Sequence, residues 1–187
     1  KSGSKIITKK VIKDDKNALR LFLKEATEKC DIIISSGGVS MGKYDYVRDV
    51  FIELGVKERF WKVAQKPGKP LFFGNKSSTL IFGLPGNPVS SYIGFMIWIW
   101  PVLEKMMGLV DESFVFAILK VDFPTEKQKH RYLFGKAWLE RGVLVCRPSL
   151  KLGSHMLSSS KNANCIIGIE KSDSPLKSGN KVQIKLL

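Results

Sequence analysis

The stretch Asp31-Ile32-Ile33-Ile34-Ser35-Ser36-Gly37-Gly38-Val39-Ser40-Met41-Gly42 decides the fold. Its first half is a short apolar, β-branched run, the composition of a strand covered on both faces in a parallel sheet. Its second half leads into Tyr44 to Leu54, where Val47, Val50, Phe51 and Leu54 fall at helical spacing and Gly55 offers a stop. Strand, glycine loop and helix in this order are the repeating unit of an α/β domain. The loop then lies at the carboxyl end of a strand, where open α/β sheets bind anions. Glycine lets the backbone approach a ligand closely, and consecutive free N–H groups there can hold phosphate-like oxygens. The loop is neither a GxGxxG nor a Walker sequence, so it specifies no particular nucleotide.

Upstream, Lys5 to Ile12 reads as a strand, and Asp14 and Asp15 offer N-cap carboxylates to a helix over 16–29 with Leu19, Phe22, Leu23 and Ala26 inward. Downstream, Arg59 to Gln65 reads as a further strand. Leu71-Phe72-Phe73 and Thr79-Leu80-Ile81-Phe82 flank a hairpin turn at Gly74 to Ser78. Asn87-Pro88 supplies an N-cap and an N1 proline to a helix running to Met107 and stopping at Gly108. That helix is apolar nearly all round, so one small sheet cannot cover it, and a second subunit or a further domain is expected against it. Beyond Gly108 come five short alternating segments, Phe114–Val121, Arg131–Leu139, Val143–Arg147, Ala163–Ile169 and Lys181–Leu186. This is the spacing of a small β-barrel or sandwich. The expectation is a three-layer α/β domain with a mostly parallel sheet, truncated at its N-terminus, over residues 1–110, followed by a small C-terminal β-barrel domain over 111–187.

A chain of 187 residues can bury a substantial core, and 44% hydrophobic with 26% charged residues is ordinary for a globular protein. The net charge of +14 favours anionic partners, although a lysine-rich solvated surface would give the same figure. Cys30, Cys146 and Cys165 are widely separated and odd in number, so reduced thiols in a cytoplasmic protein are expected, with no metal spacing among them. The longest apolar run, Tyr92 to Leu103, contains Pro101 and is too short to span a bilayer, so no membrane partner is expected.

Two further loops resemble the first in chemistry: Lys66-Pro67-Gly68-Lys69-Pro70 and Leu84-Pro85-Gly86-Asn87-Pro88. Lys66 and Lys69 place point charges on a backbone stiffened by proline. Each feature also has an ordinary structural explanation. A Gly-Gly pair makes a tight turn, Asp45 sits where a carboxylate favours a helix N-terminus, the lysines can be solvated, and Ser90 and Arg131 can be helix and edge-strand residues.

In combination the motifs closely resemble the molybdopterin molybdenumtransferase family, bacterial MoeA and the E domain of gephyrin-type proteins. The resemblance rests on Gly37 to Gly42 with Asp45, Lys66 to Pro70, Gly83 to Ser90, and Gly153-Ser154-His155-Met156-Leu157-Ser158-Ser159 leading into Ala163-Asn164. It covers essentially the whole chain. Members of that family are longer and begin with two further domains, so the resemblance implies a C-terminal part of such a protein.

The resemblance also implies a reaction: adenylyl-molybdopterin receives molybdenum from molybdate on its dithiolene sulfurs, and AMP is released. Asp45, Lys66 and Lys69 would be catalytic, with Asp45 holding Mg²⁺ at the pyrophosphate bond. Gly37, Gly38, Ser40, Gly42, Pro70, Gly86, Asn87, Pro88, Ser90, Arg131 and Ser159 would bind substrate. Arg131 and Ser159 would join Lys66, Lys69 and Ser90 around the molybdate dianion. A homodimer is implied as well. Two other functions compete. A non-catalytic dimerising scaffold domain would share the fold. A nucleic-acid module is disfavoured, because the aromatics sit in apolar runs such as Phe60-Trp61 and Trp98 to Trp100 and are not interleaved with basic residues.

Overall fold

The computed structural model describes residues 3–13, 15–39, 46–109, 114–149 and 160–187. They form two compact units, one comprising residues 1–63 and 68–95 and the other 64–67 and 96–187.

The first unit is built on a four-stranded sheet in the order β1 (Ile32–Ser36), β5 (Thr79–Leu84), β4 (Phe72–Lys76), β2 (Lys57–Trp61). The expected mostly parallel sheet is corrected here. β1 and β5 pair in parallel, whereas β5 with β4 and β4 with β2 are antiparallel. A two-residue turn at Ser77-Ser78 joins β4 to β5 directly, and so short a connection can only reverse the chain. Helix α1 (Lys16–Lys29) and helix α2 (Val47–Glu53) pack on one face, where Leu23, Ala26, Val50 and Phe51 close over Ile33, Phe72 and Ile81. Phe51 stacks on Phe72 at 5.8 Å between centroids, and both side chains are fully buried. Truncating either would cost about 3–5 kcal/mol in transfer and cavity terms.

The opposite face carries a cross-strand row, Phe60 against Phe73 and Phe73 against Phe82, with Ile34 in register beyond. Ile34 is 43% exposed, so β1 is not covered on both faces as its composition suggests. The expected strand at Lys5 to Ile12 is also absent. No described strand pairs with it, and Ile6 and Val11 are 79% and 91% exposed. A β-branched segment without a partner ladder does not form a strand.

Helix α1 begins as expected: the Asp15 carboxylate accepts from the Asn17 and Ala18 N–H groups at 2.9 and 3.1 Å. Helix α3 (Pro88–Gly94) begins on Asn87, and the run to Met106 continues through a π-helical turn (Phe95–Ile99) into α4 (Trp100–Met106). The sequence predicts one uninterrupted helix there. Pro101 has no N–H to return to Ile97, and the π turn just before it absorbs the missing bond.

The second unit is a closed five-stranded barrel, as expected. Around it run β7 (His130–Glu140), β8 (Val143–Pro148), β6 (Phe114–Leu119), β10 (Lys181–Leu186) and β9 (Cys165–Ile169), with β9 closing on β7. Strand β7 turns the corner at Gly135, which pairs with both Pro148 and Cys165. A methyl group there would lie 2.4 Å from Ile167 Cδ1 and 2.8 Å from the Arg147 carbonyl. Where β9 has not yet begun, Asn164 completes the ladder with its side chain, accepting from Ala137 N–H at 2.7 Å and donating to its carbonyl at 2.8 Å. Leu119, Cys146, Cys165, Ile167, Ile169 and Ile184 fill the interior. Residues expected to form one strand from Arg59 to Gln65 divide instead. Strand β2 ends at Trp61, and β3 (Gln65–Lys66) pairs in parallel with β7.

Candidate functional site

The loops that the sequence singles out take two distinct arrangements, one in each unit. In the first unit, the chain leaves β1 at Ser36 and turns through Gly37 and Gly38, with φ of 92° and 70°. These left-handed values are open to glycine and costly for most other residues. Gly37 N–H donates to the Leu84 carbonyl at 2.9 Å, and the Gly37 and Gly86 backbones are neighbours, so that a methyl on Gly86 would be in ordinary van der Waals contact with Gly37 Cα at 3.6 Å. Two of the expected anion loops therefore run side by side.

Ser36 and Ser91 hydroxyls lie 3.2 Å apart, and Ser91 also donates to the Pro85 carbonyl. Asn87 caps α3, its side-chain oxygen accepting from Val89 and Ser90 N–H at 3.0 and 3.2 Å, and Pro88 opens the first turn. Ser90 is buried on that turn. Val39, the last described residue before the glycine segment, is fixed from outside: the Trp61 indole donates to its carbonyl at 2.9 Å. Arg48 lies 4.2 Å over the Trp61 ring while its Nε holds Glu58 at 2.7 Å. Lys69 is exposed and Pro70 half-buried, and the Lys69 carbonyl accepts from Val63 and Leu71 N–H.

In the second unit, the register of β3 on β7 sets Lys66 directly beside Arg131. Between them comes a residue that the sequence did not single out, Glu126. Lys66 Nζ donates to Glu126 Oε1 at 2.9 Å, and Arg131 Nε lies 3.7 Å from the same oxygen. The Arg131 guanidinium rests 4.9 Å over the Phe123 ring, and its Nε is buried with no hydrogen-bond partner among the described residues. The hydrogen bond from Lys66 holds the Glu126 carboxyl below the usual carboxylate range, and the charges of Lys66, Arg131 and Lys129 add to this against a desolvation cost. Two cations thus share one carboxylate.

Gln65, also unforeseen, is buried and locks the loop: the Trp98 indole donates to its side-chain oxygen at 2.8 Å, and its amide donates to the Pro67 carbonyl at 3.1 Å. No sequence pattern marks Glu126 or Gln65, because the contacts of Glu126 with Lys66 and of Gln65 with Trp98 join residues distant along the chain.

Ser40, Gly42, Asp45 and Ser159 lie outside the described residues. Among the described residues no cluster of three or more histidine, cysteine or carboxylate groups could hold a metal. Nor, among them, is any helix long and apolar enough to cross a membrane.

Residues 1–105 match the family described as the probable molybdopterin binding domain, and residues 117–187 match the MoeA C-terminal region, domain IV. The chain belongs to this molybdopterin-binding family. It is 30% identical over 188 aligned residues to a molybdopterin molybdenumtransferase of Staphylococcus aureus (strain Mu50), covering all of this chain and 45% of that protein. A protein of the same name from Bacillus subtilis (strain 168) is 30% identical over 178 residues, 94% of this chain and 41% of that one. The crystal structure of the molybdopterin biosynthesis moeA protein from Pyrococcus horikoshii OT3 superposes with a TM-score of 0.70 at 28% identity, over 95% of this chain and 41% of that one. The chain thus spans less than half the length of the relatives it matches. Family membership agrees with the expectation drawn from the loop motifs, and the superposed structure agrees with the expected α/β domain followed by a barrel.

Proposed function

We propose that this chain is part of a molybdenum-cofactor biosynthesis enzyme, a cytoplasmic molybdopterin molybdenumtransferase that moves molybdenum from molybdate onto the dithiolene of adenylyl-molybdopterin with release of AMP. The observation that carries this reading is the Lys66–Arg131 pair, two cations held side by side by β-sheet register in a chain of the molybdopterin-binding family. Molybdate is a tetrahedral dianion and needs converging donors and positive charge. Arginine contributes a planar fork and lysine a point charge. The buried Nε of Arg131, without a hydrogen-bond partner among the described residues, is a donor suited to such an ion.

The paired glycine backbones at Gly37, Gly38 and Gly86 suit the phosphate end of the pterin, since close approach by oxygens requires the absence of a Cβ. Lys69, Pro70, Asn87, Pro88, Ser90, Ser40, Gly42 and Ser159 are assigned to substrate by the family likeness. Mg²⁺ would be held by Asp45. One carboxylate is a fitting donor set for this ion, which ordinarily completes its shell with substrate phosphates and water. When bound, Mg²⁺ neutralises phosphate charge. A second copy of the protein is the proposed assembly partner, and neither nucleic acid nor a membrane has a role.

Asp45→Asn in the full-length protein tests the reading. AMP release from adenylyl-molybdopterin in the presence of molybdate and Mg²⁺ is expected to be abolished while the thermal unfolding midpoint is retained. Undiminished release would make Asp45 a helix-terminus residue and remove the Mg²⁺ assignment.

A further inference from the structure

Lys66 and Arg131 are not bare cations. Their charge is partly met by Glu126, and unequally: Lys66 has a full hydrogen bond at 2.9 Å, whereas Arg131 Nε has only a 3.7 Å ion pair and remains without a hydrogen bond among the described residues. The backbone that presents Glu126 is pinned. Thr125 Oγ1 lies 2.9 Å from the carbonyls of both Ser172 and Ser174, and the Glu126 carbonyl accepts from Ser172 N–H at 3.2 Å. Phe123, three residues earlier, exchanges both backbone hydrogen bonds with Leu176 while its ring supports Arg131. The carboxylate can therefore leave the cations by side-chain rotation alone, with no loop movement. Its side chain is 30% exposed, so it has solvent to turn into.

We propose that Glu126 is an intramolecular stand-in for the oxyanion, occupying Lys66 and Arg131 until a tetrahedral dianion displaces it, and so setting the affinity of the site. This rests on the assignment of Lys66 and Arg131 to molybdate. A monodentate carboxylate satisfies one of the two cations well. A tetrahedral dianion carries twice the charge and enough oxygens to serve both, so the exchange favours the dianion. Until then the carboxylate keeps the two like charges from facing each other unscreened.

Calorimetric titration of the purified protein with sodium molybdate tests this, using wild type, Glu126→Gln, Lys66→Ala and Glu140→Gln. Glu140 pairs with Lys120 elsewhere on the barrel and controls for the general gain of positive charge. Glu126→Gln keeps the size of the side chain and removes the competing charge. It is expected to bind molybdate about two- to five-fold more tightly, the scale of one displaced, partly exposed ion pair. Glu140→Gln should match wild type, and Lys66→Ala should lose most of the binding. Equal or weaker binding by Glu126→Gln, with Lys66→Ala still defective, would overturn the role of Glu126 and leave the oxyanion assignment standing. An equal gain from Glu140→Gln would likewise overturn it, because net charge alone would then explain the effect. Binding unaffected by Lys66→Ala, or absent from every variant, would overturn the assignment and this proposal together.

Discussion

Burial inside the barrel pushes the Cys146 thiol up to about 11 and the Cys165 thiol, which also feels Cys146, up to about 12. Both therefore stay protonated and unreactive near neutral pH, since the thiolate is the nucleophile. At pH 8 an alkylating reagent should label one site in the native protein, half-buried Cys30, and three after denaturation. Mass spectrometry counts the labels, and three on the native protein would mean that the barrel opens readily. The sign of the linked stability follows from the same shift. An unfolded thiol releases its proton near 9, the native thiols hold theirs to about 11 and 12, and so stability should fall as pH rises above about 9. The sequence identifies these cysteines as reduced and unconnected but gives no sign that two of them share one interior. Glu126 is the same kind of case. Its neighbours Thr125 and Lys127 carry no motif, and only the return of β3 to β7 brings it to Lys66.

At the scale of elements, local signals were legible wherever the cause is local. Asp15 and Asn87 are short polar side chains preceding periodic apolar positions, and both cap the helices expected of them. Asn87→Ala should cost about 0.5–2 kcal/mol, because it strands the Val89 and Ser90 N–H groups at the start of α3. Chemical denaturation would show this as a lowered midpoint with an unchanged slope. An unchanged midpoint would mean that the glycine loop beside Gly86, and not the cap, fixes the helix entry. Gly135→Ala should be worse, since the added methyl meets the Arg147 backbone as well as Ile167, and overpacking of this kind costs about 1–3 kcal/mol. Pairing partners were the illegible part. The segment from Arg59 to Gln65 carries strand composition throughout, yet Trp61 and Gln65 end in different sheets, and Lys5 to Ile12 has strand composition with no described partner at all. A strand is defined by its neighbour, which composition does not name.

For the whole molecule, the unresolved cost is apolar surface on the long helical run. In the second unit Met106 on α4 and Leu109 just past its end are 50% and 57% exposed, and Trp98 and Trp100 are only half-buried. Each large side chain removed from water contributes about 1.5–3 kcal/mol, so a partner that covered several of them would bind well. The net charge of +14 works in the opposite direction, because like-charged copies repel at low salt. The two effects separate experimentally. Repulsion between solvated charges is screened within about 8–10 Å at physiological salt, whereas apolar burial is not weakened by salt. Light scattering on the full-length protein should therefore give a dimer at micromolar concentration in about 0.15 M salt, with the monomer gaining ground as salt is removed. Replacing Met106 and Leu109 by serine should shift the equilibrium to monomer while the barrel and sheet unfold at their former temperatures. A wild-type protein that remains monomeric across the salt series, with no tendency to aggregate, would show that the exposed helix surface is tolerated in isolation and that no second copy covers it.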